Sequence, residues 1–382
     1  MKSHGAFLRV TVAFCLIVVS GTSLAAENVV LVTIDGLRWQ ELFSGLDTRL
    51  TRNKEYTAEQ ELLLTRFGSD PATRSGHKIF PFLYSTMFEQ GSYVGDRNRS
   101  SCAKVKNDWY FSYPGYSEIL TGVVNPTIDS NAKKLNPEKS ILELLDSTPR
   151  FEGKTAAFAS WDVFPFIFNV DRSRLHVNAF EEEKNPQSDF ERLLNTLYRD
   201  TPPPWPTVRN DSFTHHYAMS YFSRELPKVL FVSYGETDDF AHDGKYDEYI
   251  LAANRTDRFI GELWKLIQAT PSHRDNTVLF VAVDHGRGSE PIETWQHHAS
   301  KKSVSGYMTS LSQYEDGITG SEAVWMAAVG PGVASNGLIV TGADCLTNNG
   351  IAATLLELLG EDYKTLNPAM GAPLEAFLSK GE

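Results

Sequence analysis

Three apolar, β-branched runs in this chain each stop close to an aspartate. Asn28–Ile34 ends at Asp35-Gly36, and 277–283 ends at Asp284-His285-Gly286. The run 228–234 leads into Gly235-Glu-Thr-Asp238-Asp-Phe-Ala-His242. Unbroken apolar runs of this length suit strands buried on both faces, as in a parallel sheet. Parallel strands of an open α/β sheet collect their carboxyl ends on one edge, where ligands bind. The pattern therefore predicts that Asp35, Asp238 and Asp284 converge.

The rest of the chain alternates in the same way. Strands are expected at 154–160 and 323–329, and helices at 55–66, 81–89, 138–145, 212–224, Tyr246–Ala269 and 350–359. Loops are expected at 47–52 and 69–78. The aromatic stretch 161–206, with Pro202-Pro-Pro-Trp-Pro206 as punctuation, reads as irregular. It is either a plain surface excursion or, taken as 161–226, a cap or lid. No repeat or low-complexity tract interrupts the alternation. The expected fold is α/β, a single domain with a mostly parallel central sheet flanked by helices.

A further stretch, Trp-Tyr-Phe-Ser112-Tyr-Pro114-Gly-Tyr-Ser-Glu-Ile-Leu-Thr121-Gly122, reads as a helix with Pro in its first turn and Gly at its end. Ser112 then stands at a helix N-terminus, where free N–H groups and the dipole favour an anion. Alone, it is also an ordinary capping serine. Asp238 and His242, four residues apart on a helical turn, share a face. The pair His297-His298 follows Trp295-Gln296 in a late loop. Asp and His donors without thiolate suit Zn²⁺, and less well Mn²⁺.

The first residues are of another kind. Lys2 and Arg9 precede a short apolar run, 10–19, and Ser23-Leu-Ala25 is a small-x-small cleavage site. The reading is a signal peptide over 1–25, a mature chain over 26–382, a secreted or periplasmic protein, and no stable membrane anchor after cleavage. Losing Lys2 and Arg9 takes the formal charge from −12 to −14. Such an acidic surface excludes nucleic acid as a partner, because a phosphate backbone needs a basic footprint. Cys102 and Cys345 remain, either paired, as export allows, or as two buried thiols.

Together these segments resemble the alkaline phosphatase superfamily, on its nucleotide pyrophosphatase/phosphodiesterase-like and phosphoglyceromutase-like branch. The resemblance rests on Ile34-Asp35-Gly36, Ser112-Tyr-Pro114, Leu120-Thr-Gly122, Glu236-Thr-Asp238 with His242, Val283-Asp284-His285-Gly286 and His298. The late Gly330-Pro-Gly332 and Ile351-Ala-Ala-Thr-Leu-Leu also match, so it covers most of the mature chain. It implies an alkaline-phosphatase-like domain with two divalent metal ions. Asp35, Ser112, Asp284 and His285 would hold one, and Asp238, His242 and His298 the other. His297 stands as a rival to His298, because the family's final His is usually followed by Gly and here by Ala299; Asp239 is likewise a rival to Asp238. Gly115 stands where the phosphodiesterases commonly place Asn. Asn131 is either the donor to a substrate oxygen that the resemblance implies or an ordinary turn residue. Arg287 is either a second clamp on that group or a surface salt-bridge residue.

Sulfatases share the fold, and their maturation signature is Cys or Ser, any residue, Pro, any residue, Arg. Here Tyr116 stands in place of that Arg. The function expected is an exported two-metal phosphoric-ester hydrolase acting on a small-molecule phosphate ester through a covalent phosphoserine at Ser112. Two alternatives stand beside it: a phosphodiesterase or nucleotide pyrophosphatase, and a catalytically silent metal- or phosphate-binding protein.

Overall fold

A computed structural model describes residues 25–68 and 75–380. The signal segment, Ala25 apart, and residues 69–74 of the expected 69–78 loop lie outside them. In chain order the strands are β1 (Asn28–Ile34), β2 (Ser92–Val94), β3 (Ala103–Lys104), β4 (Thr155–Ala159), β5 (His176–Ala179), β6 (Val229–Tyr234), β7 (Thr277–Ala282), β8 (Ala323–Val324), β9 (Met326–Val329), β10 (Gly337–Leu338) and β11 (Leu346–Thr347).

Eight of them form one sheet in the order β10-β2-β9-β7-β1-β6-β4-β5, and β11-β3-β8 form a small second sheet. In the large sheet β1 pairs in parallel with β6 and β7, and β4 with β5 and β6. Strand β9 runs antiparallel to its neighbours β2 and β7. This is the mostly parallel sheet the sequence predicts. All residues of β1, β6 and β7 are buried, which is why their runs lack polar alternation. Each fully buried Val, Leu or Ile side chain among them contributes roughly 1.5–3 kcal/mol.

The helices fall into two groups that pack among themselves. Asp211–Glu225 lies on β4 and β6 and touches Tyr246–Ala269, whereas Ser112–Thr121 packs with Ile141–Asp146 and Ile351–Leu358. Helix Ser112–Thr121 ends as expected, with Gly122 at φ 71° donating its N–H to the Glu118 carbonyl.

Several local expectations are corrected. Residues 47–52, expected as a loop, hold the helix Thr48–Arg52, because Asp47 accepts the N–H groups of Arg49 and Leu50 as its N-cap. The 323–329 strand is split at Trp325 into β8 and β9, which pair in different sheets. The stretch 161–206 is not irregular throughout. It contributes the edge strand β5 and the amphipathic helix Asp189–Asp200. Cys102 and Cys345 form a disulfide beside the β3–β11 pair.

Candidate metal centre

The register of the sheet brings the predicted aspartates together. Ile34 lies beside Tyr234 and Thr33 beside Ala282, so Asp35 emerges level with the residues that follow β6 and β7. After β6 the chain turns at Gly235 into the helix Glu236–His242, which carries Asp238 and His242. Asp211 accepts the N–H groups of Gly235 and Glu236 at 2.8 and 3.1 Å, fixing the start of that helix.

Asp35, Asp284 and His285 form one cluster. His285 Nε2 lies 3.2 Å from Asp35 Oδ1, 3.4 Å from Asp284 Oδ2 and 3.4 Å from the Ser112 hydroxyl. All four residues are buried. The other ring nitrogen, His285 Nδ1, is 2.9 Å from the Gly286 carbonyl and donates to it, so in the neutral ring Nε2 carries the lone pair. That lone pair faces two carboxylates, and a cation between them removes the conflict. Asp35 Oδ1 and Asp284 Oδ2 accept no hydrogen bond although both are buried. Buried polar atoms are rarely left so.

Gly36 leaves space beside this cluster. It has φ +56°, and a Cβ there would stand 2.7 Å from Asp238 Oδ1, 2.9 Å from Arg287 Nε and 3.1 Å from His285 Cε1. Its N–H holds Asp284 Oδ1 at 3.1 Å. The orphaned oxygens, the oriented imidazole and this Cβ-free space fit a divalent cation. Asp35, Asp284 and His285 satisfy the spacing of such a site, as do Asp238, His285 and His298.

The second group adjoins the first. His242 Nε2 is 3.2 Å from Asp238 Oδ2 and 3.1 Å from His298 Nε2, and His298 Nε2 is 3.7 Å from Asp238 Oδ1. His298 Nδ1 donates to the Tyr110 carbonyl at 3.1 Å, which aims Nε2 inward as His285 is aimed. Tyr110 has a left-handed backbone, φ 58°, two residues before Ser112. The rings of His298 and His285 stack 3.7 Å apart. His297 belongs to neither Asp/His group, and its ring lies 6.3 Å from that of His242.

Charge is unbalanced here. Burial, and then Asp238, raise Asp35; burial and Asp35 hold Asp284 well above the usual carboxylate range. Burial would also raise Asp238, but Arg287 and His242 pull it well below that range. Burial opposes protonation of His285, yet Asp284 and Asp35 push it up to about 9. His298 is held well below an ordinary imidazole by burial and by His285. Asp239 goes up to about 9 through burial and Asp238.

Ser112 is the first residue of its helix and does not cap it; Phe111 holds the cap position, with no side-chain bond. Asn131 comes to the same helix start, its Oδ1 accepting the Tyr113 N–H at 3.0 Å. Arg287 is buried rather than a surface residue. It binds the Asp238 carboxylate, the Asp238 carbonyl at 2.9 Å and the Gln296 carbonyl at 2.7 Å, which ties the Asp238 helix to the His298 loop. Its Nε has no partner. Gly115 is explained by contact: a Cβ there would meet the Asp284 carbonyl oxygen at 2.4 Å. Tyr116, which the sequence singles out only as the residue in place of the sulfatase Arg, donates its hydroxyl to Asp35 Oδ2 at 2.9 Å. Its position one helical turn after Ser112 was the available signal.

The chain matches no protein-family model and no curated protein. Its structure is similar to several solved ones. A phosphonate monoester hydrolase from Silicibacter pomeroyi superposes with TM-score 0.55 at 13% identity, over 92% of this chain and 76% of that one. A 2-O GAG sulfatase gives 0.55 at 12%, over 94% and 75%. The lipoteichoic acid synthase LtaP from Listeria monocytogenes gives 0.51 at 12%, over 88% and 72%. The chain shares the fold of these solved structures. In the terms of that fold, the Asp/His groups lie at the carboxyl edge of the central parallel strands, with Ser112 above them on its own helix.

Proposed function

We propose that this protein is an exported, metal-dependent phosphoric-ester hydrolase of the alkaline phosphatase superfamily that works through a covalent phosphoserine at Ser112. The observation that carries the reading is the Ser112 hydroxyl, 3.4 Å from His285 Nε2 beside two buried carboxylate oxygens that accept nothing. Asp35, Ser112, Asp284 and His285 would hold one divalent ion, and Asp238, His242 and His298 a second. The donor set favours Zn²⁺, with Mn²⁺ next. When bound, such ions lower the pKa of a hydroxyl and neutralise charge on phosphoryl oxygens.

The chain's own groups supply the rest. Ser112 Oγ attacks phosphorus from the helix start, and the ester oxygen departs. Water then cleaves the Ser112–phosphate bond and restores the hydroxyl. Arg287 Nε, which has no partner, would donate to a non-bridging oxygen, with Asn131 at the same helix start as a second candidate donor. Burial of Asp35, Asp284, His285 and His298 strengthens the charge interactions among them, while His242 stands at the exposed side of the centre.

A sulfate ester is the competing substrate class, because a sulfatase is among the similar structures. Tyr116 argues against it, since formylglycine maturation needs Arg at that position. Export is supported by the signal-like 1–25 segment and by the Cys102–Cys345 disulfide, which suits an oxidising compartment. The test is hydrolysis of paired aryl phosphate monoesters, aryl phosphate diesters and aryl sulfates by chelated protein with Zn²⁺ or Mn²⁺ restored. Phosphate ester turnover that follows the metal supports the proposal, and the monoester-to-diester ratio separates phosphatase from phosphodiesterase. Metal binding without turnover of any ester leaves the silent binding protein as the better reading.

A further inference from the structure

Asp35 meets the centre with only one of its oxygens. The other, Oδ2, is taken by the Tyr116 hydroxyl at 2.9 Å. That hydroxyl in turn accepts from Ser233 Oγ on β6 at 3.2 Å, so it donates once, accepts once and is saturated. Its ring is fully buried and held edge-on by Phe164, centroids 4.8 Å apart. Asp35 Oδ1 is left facing His285 Nε2 at 3.2 Å with no hydrogen bond. Tyr116 lies four residues after Ser112, on the same helix face. One helix therefore carries the candidate nucleophile and also the group that orients a candidate ligand.

We infer that Tyr116 is a positioning residue for the first metal site: its hydroxyl holds Asp35 as a one-oxygen ligand and ties that ligand to the helix that carries Ser112. The inference rests on the metal-dependent reading above. A carboxylate with both oxygens free rotates and binds through either or both. Pinning Oδ2 fixes which oxygen is presented and at what angle. Hydrogen-bond partners of ligating groups commonly set metal affinity by 10–100-fold. The bond also makes the distance from Asp35 to Ser112 depend on one helical turn rather than on a loop.

Tyr113 is the natural control. It sits on the same helix, is also buried, and donates its hydroxyl to the Lys134 carbonyl at 2.6 Å, away from every candidate ligand. The experiment strips the full protein with chelator, titrates back Zn²⁺ against a chromophoric competitor, and records the visible spectrum of the Co²⁺-loaded form. In Tyr116→Phe one of two sites should weaken about 10–100-fold with an altered Co²⁺ spectrum, while the other is unchanged. Tyr113→Phe should lose stability and keep both affinities and both spectra. Equal, unchanged affinities and spectra in Tyr116→Phe would overturn the inference and leave Tyr116 a buried structural phenol. Should that variant not fold, Ser233→Ala, which removes only the donor to the phenol oxygen, should weaken the same site several-fold; no change there overturns the inference equally. Failure of the parent protein to take up metal is a separate result that removes the underlying reading.

Discussion

Ser112 Oγ and His285 Nε2 stand 3.4 Å apart although 173 residues separate them in the chain. His285 stands three residues past the end of β7, and Ser112 opens a helix in which every residue is buried. Ser112 does not hold the cap position of its helix, and under the proposed function its hydroxyl is the nucleophile.

Replacing Ser112 with Ala should abolish a phosphoserine trapped by acid quench during turnover and cut turnover by several orders of magnitude. Digestion and mass spectrometry should place the adduct at Ser112 and not at Ser117. Ser117 is buried and its Oγ accepts from Asn136 Nδ2 at 3.0 Å, away from the cluster. A capping serine predicts only about 1 kcal/mol of lost stability and near-normal turnover. An alanine variant that folds, binds metal and hydrolyses at the parent rate would sink the covalent mechanism.

His298→Ala should remove close to one metal equivalent and most activity, whereas His297→Ala should change turnover by a few-fold at most. The reason is proximity: His298 Nε2 lies 3.1 Å from His242 Nε2 and 3.7 Å from Asp238 Oδ1, and His297 belongs to neither Asp/His group. Elemental analysis beside kinetics decides it, and a reversed order would hand the ligand role to His297.

Much of this centre is legible in sequence because its parts sit at strand ends, where a long apolar run and a following Asp are local signals. Asp238 and Asp239 cannot be separated that way, being neighbours on one helix. Only the structure shows Asp238 meeting His242, His298 and Arg287. The Tyr116–Asp35 bond spans 81 residues, and its one local signal, the place of Tyr116 a helical turn after Ser112, does not name the partner. The short strands β2, β5, β10 and those of the small sheet are too brief for hydrophobic periodicity to register. The pairing of Cys102 with Cys345 spans 243 residues and depends on how the small sheet closes.

The metal-stripped chain should lose stability as pH rises. His285 in the folded chain is pushed up to about 9, above the ordinary imidazole value of 6.5. Its proton therefore stabilises the fold fully below about 6.5, and that contribution is lost as pH rises through about 9. Asp35 and Asp284, also raised, act in the same direction. Metal needs the deprotonated ring, so apparent Zn²⁺ affinity should climb over the same interval with release of protons. Melting curves of stripped and loaded protein from pH 6 to 9.5 check this, and a flat curve for the stripped form would refute it.

Removing the disulfide by a Cys102→Ser and Cys345→Ser double change should cost roughly 2–5 kcal/mol, since the crosslink closes a long loop in the unfolded chain. Denaturant titration of the oxidised parent, the reduced parent and the double variant measures it. Identical midpoints would mean that the bond contributes nothing in solution.

The last prediction concerns Gly115, where the helix carrying Ser112 presses on the end of β7. A methyl group there would stand 2.4 Å from the Asp284 carbonyl oxygen, 3.0 Å from its carbon and 3.2 Å from its Cβ. Two of those atoms are backbone, fixed between the strand and His285, and cannot turn aside as a flexible side chain would. The helix must move instead. Ala is the better helix former, so propensity alone predicts a gain of up to about 1 kcal/mol. Overpacking against backbone costs about 1–3 kcal/mol, and the net effect should be a loss. The displacement would also lengthen the Ser112–His285 approach, so turnover should fall by more than stability does. Stability and turnover of Gly115→Ala, measured together, test this. A variant as stable and as active as the parent would show that the helix has slack at this contact and that the position of Ser112 is set elsewhere.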